Sequence, residues 1–323
     1  MKPKNSRGVT MGENEYKIFN ITKKRPKVLF LGNGLFYNEC SWDDFIDDCR
    51  CEGIHKDDWD KHKHQIPYTI RAGIACDVKD TNRWNNYKQK TDELKNKKIY
   101  QLEHPLLDQL LALPFDAILT TNYTYQIENA LNGQFVNRSD RYIQTHYSYC
   151  TKDKETSRYL LHSYNRINSH DIWHIHGEAR RKSSMVLTHD EYGRLTAEVR
   201  KVIKETSNNY EKYQTNLKMK SWVDYFLMGD VYSLGYGADF SEFVFWWMIE
   251  RRKREVAPVG NFTFYEPEDH RETKNNTAKL FALSASKMNV ETLGCTINDK
   301  AQDFNAFYKK AIADIKDKIK MEN

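Results

Sequence analysis

Two side chains in this sequence, Asn122 and His176, are suited to chemistry on a polar ligand, and both stand where an apolar run ends. His176 belongs to His174-Ile175-His176-Gly177, which closes the run that starts at Asp171. An imidazole there can take a proton near neutral pH, as a general base for a ribose hydroxyl or a water must. Gly177 behind it would let a ligand come close to the backbone. Asn122 lies in Thr120-Thr121-Asn122-Tyr123, where its amide can hold a ribose hydroxyl or a water without bringing charge into the site. A third segment, Leu31-Gly32-Asn33-Gly34, contains two residues without Cβ atoms. Its backbone can turn sharply and approach a pyrophosphate while the next helix presents its N-terminus.

Each segment also has an ordinary reading. Gly32 and Gly34 suit any strand-to-helix turn, Asn122 suits a helix cap beside Thr124, and a buried histidine is commonly a hydrogen-bonded core residue. Tyr37 stands where the dinucleotide fingerprint has its third glycine, and no unique acidic residue follows about twenty positions on. Strand alternation puts His174 on the same side as His176, and such a pair can form the corner of a metal site. No well-spaced third ligand is evident, so no metal is expected.

The elements that must position these residues read as strands alternating with helices. Continuous apolar runs of strand length occur at 27–31, 115–120, 171–176 and 231–234, the last leading into Gly235-Tyr236-Gly237. The runs 185–188 and 225–228 have the same character, and 261–265 and 289–293 are later strand candidates. Helices are expected after Ser41, which can cap a first turn to which Asp44 reaches back, over 126–131, after a cap at Ser241, and over 274–287. A closing helix from Asp299 carries Phe304, Phe307, Tyr308, Ala311, Ile312, Ile315 and Ile319 on one stripe. The segment 201–220 reads as an exposed helical connection. This alternation predicts an α/β fold with a doubly wound, mostly parallel, Rossmann-like sheet. A flexible N-terminus of residues 1–25 would precede a single domain of residues 26–323. That domain would carry a polar helical insertion at about 52–105 and a second polar stretch at about 132–170, folded over one edge.

Composition narrows the function classes. Hydrophobic residues make up 39% and charged residues 29%, and 50 basic against 45 acidic residues leave a net charge of +5, a weak argument for nucleic acid. Arg251-Arg252-Lys253-Arg254 is better read as positive charge at a helix C-terminus than as a nucleic-acid patch. Arg180-Arg181-Lys182 reads as a solvated loop. The first twenty residues do not read as a signal peptide, and the longest apolar stretch, 243–249, is far too short to span a bilayer, so a cytoplasmic chain is expected. Six cysteines without a zinc-ribbon spacing are expected to be reduced structural thiols. Phe243, Phe245, Trp246 and Trp247 cannot share one narrow helical stripe, so their helix is buried on several sides or meets another subunit.

Taken in order, these segments resemble the sirtuin superfamily, and within it the sirtuin-like NAD hydrolases of bacterial anti-phage defence more than the protein deacetylases. The resemblance runs through 28–45, 115–131, 172–192 and 231–254, including Ser184-Met185-Val186-Leu187-Thr188-His189-Asp190-Glu191-Tyr192 and Leu234-Gly235-Tyr236-Gly237-Ala238-Asp239. Asn33 stands where the superfamily usually has alanine, and Thr124 where an aspartate is common. The Asn33 form and Asn122-Tyr123-Thr124 are also similar to the related abortive-infection H family. The resemblance implies an NAD glycohydrolase, with Asn122 and His176 catalytic and with Gly32, Asn33, Gly34, Thr121, Gly177, Gly235, Tyr236 and Asp239 around the dinucleotide. It implies NAD as substrate, no metal, no membrane, and activation by self-assembly into an oligomer or by a partner sensor protein. A nucleotide-binding module that regulates a partner is the alternative.

Overall fold

Val28, Leu29, Phe30 and Leu31 are all buried, and only a strand covered on both faces gives consecutive apolar residues that environment. The run Lys27–Leu31 forms β2, in the middle of an eight-stranded sheet, in a computed structural model of the chain. The structure describes residues 19–21, 24–36, 42–50, 53–75, 89, 105–132, 144–147, 159–179, 181–213, 219–268, 274–294 and 300–321. In chain order the strands are β1 (Phe19–Asn20), β2, β3 (Ala117–Thr120), β4 (Gln144–Tyr147), β5 (Ser163–Ile167), β6 (His170–His174), β7 (Asp230–Leu234), β8 (Val256–Ala257), β9 (Phe262–Glu268) and β10 (Asn289–Gly294).

The large sheet has the order β10-β9-β7-β2-β3-β6-β5-β4, and β1 pairs with β8 in a separate ladder. From β10 to β6 every pair is parallel, with Leu31 opposite Thr120 on one side and Leu234 on the other. Helices cover both faces, so the expected doubly wound α/β architecture is the one observed. Alternation along β2 sends Val28 and Phe30 into a layer with Leu195, Val199, Phe226 and Phe245. Leu29 and Leu31 go into the opposite layer with Leu107, Phe307, Tyr308, Ile312 and Ile315. The stripe of the C-terminal helix, Lys300–Met321, supplies much of that second layer. A third apolar cluster joins Phe45, Ile46, Trp59 and Ala72, from helices Trp42–Asp48, Lys56–His62 and Tyr68–Ala75, to Tyr123, Met185 and Leu187 beside the sheet's C-terminal edge.

Several expectations are corrected. The polar stretch at 132–170 is not simply draped over an edge: β4 and β5 lie within it and extend the sheet with two antiparallel pairs. Residues 225–228 belong to the helix Trp222–Met228, set by a capping box in which Ser221 Oγ accepts from Asp224 N at 3.2 Å and Asp224 Oδ2 accepts from Ser221 N at 3.0 Å. Residues 185–188 form no strand, although Val186 N donates to His176 O at 2.8 Å. Ser241 does not cap the aromatic helix Phe243–Glu255: Glu242 occupies the N-cap position, and Ser241 Oγ has no partner among the described residues. The helix expected at 201–220 is the C-terminal half of His189–Tyr213, with Val202 and Ile203 buried.

In the basic run, Arg252 is buried, and its guanidinium donates to the carbonyls of Phe226, Leu227, Gly229 and Asn261 at 2.6–3.1 Å. That residue is a backbone clasp and faces no external ligand. Cys49 is a buried free thiol. The other five cysteines, Tyr37, the cap at Ser41 and Arg180 lie outside the described residues. No helix among the described residues is long and apolar enough to cross a membrane.

Candidate functional site

Because β2, β3, β6 and β7 are parallel, the segments leaving them emerge on one edge of the sheet. The chain runs outward from β2 through β3 to β6 and then crosses back to β7 on the other side of β2. Ligands collect at such a switch point. A cavity of about 290 Å³ opens there, at the small end of the roughly 300–1,000 Å³ usual for ligand pockets. Asn33 and Gly34 line it after β2, Thr121 and Tyr123 after β3, His176 after β6, and residues 235–239 after β7. Trp42 and Asp43 reach it from the first helix, Tyr68 from the third, and Leu187, Tyr192 and Glu242 complete the wall.

Of the residues the sequence singled out, Asn33, Gly34, Thr121, His176, Gly235, Tyr236 and Asp239 line this cavity, whereas Gly32, Asn122 and Gly177 stand behind it. Gly32 is where two loops meet: a Cβ there would lie 2.4 Å from Gly235 O. Its N–H donates to Leu234 O at 3.0 Å, and that of Gly34 donates to Gly235 O at 2.7 Å. Both N–H groups are therefore engaged inside the protein. Gly177 has φ +90°, and a Cβ on it would meet Ser184 O at 2.2 Å, so its role is to seat the Ser184–Met185 backbone.

His176 is 5% exposed, with Nδ1 3.4 Å from Tyr192 Oη and Nε2 3.7 Å from Glu242 Oε2. Tyr192 Oη lies 3.1 and 3.0 Å from the two Glu242 carboxyl oxygens. Burial pushes the imidazole down to about 3 and the Glu242 carboxyl up to about 8, so near neutral pH both are uncharged. The 3.7 Å separation falls within ion-pair range. The burial of both groups nevertheless favours the neutral pair, and the distance is too long for a hydrogen bond.

His174 faces elsewhere. The strand ends at His174, so alternation no longer relates it to His176, and the expectation that the two share a side does not hold. Its Nδ1 donates to Asn122 O at 2.7 Å and its Nε2 meets Glu128 Oε1 at 2.8 Å. Burial pulls this imidazole down, but the Glu128 charge and hydrogen bond, with Glu178 and the Asn122 carbonyl, outweigh it and lift it to about 9. His174 is thus an imidazolium that fixes the Asn122 backbone. Asn165 Nδ2 donates to Glu128 Oε1 at 3.0 Å and Glu178 Oε2 at 3.2 Å, extending the network. The Asn122 side chain, held between Thr121 and Tyr123, has its Nδ2 3.5 Å from Gly32 O, and its Oδ1 is buried with no partner among the described residues. No group of three or more His, Cys, Asp or Glu side chains is placed to hold a metal among the described residues.

Sequence reasoning missed Glu242 as a site residue, because an acid ahead of a helix reads as an ordinary N-terminal charge. Tyr192 lay within a motif already singled out, and only its position one turn into the helix His189–Tyr213, on the cavity side, could have marked it. Trp42, Asp43 and Tyr68 come from helices whose packing over the sheet edge has no local signal.

Compared with known families, residues 116–239 match the one described as a SIR2-like domain. The matched segment begins at the residue before β3 and contains Asn122, His176, Tyr192 and the loop to Asp239, but not the Gly32–Gly34 loop. No curated protein matches the chain. Residues 116–239, 124 of the 323, are thus similar to a SIR2-like domain, and the α/β fold and the switch-point cavity, to which this segment gives Thr121, Tyr123, His176, Tyr192 and residues 235–239, agree with that likeness.

Proposed function

We propose that the protein hydrolyses the bond between nicotinamide and ribose in NAD. The observation that carries this reading is the meeting of a neutral, cavity-lining His176 with the Asn122 segment at the switch point of a SIR2-like domain. Nicotinamide leaves as a neutral ring after starting as a cation, so the leaving group needs no acid. What the reaction needs is a positioned water and a base, together with groups that tolerate positive charge at the ribose carbon. The residues present suit such a substrate: Asn122 Oδ1, set behind cavity-lining Thr121 and Tyr123, is a buried acceptor in want of a donor, and a water held there would be such a donor. Following the resemblance of its motifs, the protein would act as an anti-phage effector that depletes cellular NAD, with self-assembly or a partner protein as the trigger.

The test is to incubate purified protein with NAD, follow nicotinamide release, and repeat with Asn122→Ala and His176→Ala. Loss of release in both is expected; release that survives both would refute these assignments. A second reading, a nucleotide-binding module that regulates a partner, is favoured by the Gly32 and Gly34 N–H groups being engaged within the protein. NAD binding without release under any activating condition would decide for it.

A further inference from the structure

Asp43, Asp239 and Glu242 all line the cavity, and no lysine or arginine does so among the described residues. Asp43 is matched by Arg71, whose Nη2 lies 2.6 Å away, and Asp239 Oδ1 accepts from Ser241 N at 2.8 Å. Glu242 differs from both. Its side chain is 8% exposed, no lysine or arginine pairs with it among the described residues, and it stands beside the proposed base His176. The titratable groups that line the cavity with it are His176 from the segment after β6, Tyr192 from the helix His189–Tyr213, Tyr236 and Asp239 from the loop after β7, Tyr123 from the segment after β3, and Asp43 and Tyr68 from the helices Trp42–Asp48 and Tyr68–Ala75. None of them is a cation near neutral pH.

We propose that Glu242 is the counter-charge of the site: it gives up its proton when the pyridinium ring of the substrate enters, and it stays ionised beside His176 while the bond to ribose is broken. This rests on the reading of the cavity as a site of NAD cleavage. A base as weak as buried His176 takes up a proton poorly, and an ionised carboxylate 3.7 Å from Nε2 corrects that by favouring the imidazolium.

The charges and protons balance. On binding, the Glu242 proton goes to solvent, and the carboxylate faces the cationic ring. The C–N bond breaks with its electron pair going to nicotinamide, which leaves neutral and puts the positive charge on the ribose carbon. Water forms the new C–O bond there and passes its proton to the His176 imidazole. The imidazolium then resets Glu242 through the Tyr192 hydroxyl, which lies 3.4 Å from Nδ1 and 3.0 and 3.1 Å from the carboxyl oxygens. One carboxylate thus faces a pyridinium, an oxocarbenium-like carbon and an imidazolium in turn, and one proton is released per turnover, as hydrolysis of NAD requires.

The test is calorimetry of the wild-type protein at pH 7 in two buffers of different ionisation enthalpy. Two probes are used: carba-NAD, which keeps the cationic ring but resists cleavage, and NADH, whose ring is neutral. Release of close to one proton per site with carba-NAD and none with NADH is expected, and Glu242→Gln, which keeps the shape and an acceptor for Tyr192, should release none with either. Nicotinamide release by Glu242→Gln should fall roughly 100-fold, with partial rescue in Glu242→Asp. Proton release unchanged in Glu242→Gln, or absent in wild type that binds carba-NAD, would overturn the assignment. A wild-type protein that cleaves NAD while Glu242→Gln matches it in rate and proton release defeats this inference alone. One that neither binds carba-NAD nor cleaves NAD defeats the functional reading as well.

Discussion

Replacing Glu128 by Gln should remove the pH dependence that His174 gives to stability. The two side chains are 0% and 1% exposed and meet at 2.8 Å. Solvent is therefore excluded, and the carboxylate is what keeps the imidazole charged. The rise from 6.5 to about 9 is, at about 1.4 kcal/mol per pH unit, worth on the order of 3 kcal/mol. The sign follows from the direction. A folded-state value above the unfolded one gives stability that is fully present below about pH 6.5 and is lost as pH rises through about 9. In Glu128→Gln the histidine has lost its counter-charge and goes neutral, so stability near pH 6 should fall by about 3–5 kcal/mol. Above about pH 9.5 the difference from wild type should shrink to about 1 kcal/mol. Urea unfolding followed by tryptophan fluorescence from pH 6 to 10 measures both curves. Glu242, raised to about 8, also loses stability for the fold as pH rises, but it does so in both proteins, so their difference isolates His174. Parallel curves across the range would refute the claim that Glu128 holds His174 as a cation.

Three other outcomes are expected. Gly177→Ala places a Cβ 2.2 Å from Ser184 O at φ +90°, and thermal unfolding should report a loss of about 3 kcal/mol or more; a wild-type melting curve would mean that the Ser184 segment yields freely. Arg252→Met takes the guanidinium donor from the carbonyls of Phe226, Leu227 and Gly229, leaves Asn261 O with Val231 N alone, and should cost about 3 kcal/mol or more, with faster amide exchange in the helix Trp222–Met228 as the local readout. Ser221→Ala removes one half of the capping box and should lower stability by about 1 kcal/mol, measured by denaturant titration.

Which parts of this fold could be read from the chain follows from how burial writes itself into sequence. β2, β3 and β7 are buried on both faces, so each is a continuous apolar run and was legible. β5 has the alternation of a strand, but its inward residues are Ser163, Asn165 and Ile167, two of them polar, so hydrophobic periodicity could not find it. At the site, Asn122 and His176 were legible because polar residues at strand ends are conspicuous. The divergence of His174 from His176 was not, since it depends on the residue at which the strand stops. Nor was Glu242 legible, since its raised affinity for a proton comes from apolar and aromatic neighbours that folding brings around it.

The cavity draws on segments that follow β2, β3, β6 and β7, and beneath it Tyr308 from the C-terminal helix lies against Gly34, with Oη 2.6 Å from where a side chain would begin. Residues from Asn33 to Glu242 must therefore have met, and the helix Lys300–Met321 must have closed the underside, before the site has its shape. A ribosome adds residues in sequence, so a nascent chain holding everything up to His176 still lacks the β7 wall, Glu242 and the support beneath Gly34. The cavity accordingly takes its shape only once the helix Lys300–Met321 has been made and docked, so cleavage ahead of that helix removes the support beneath Gly34.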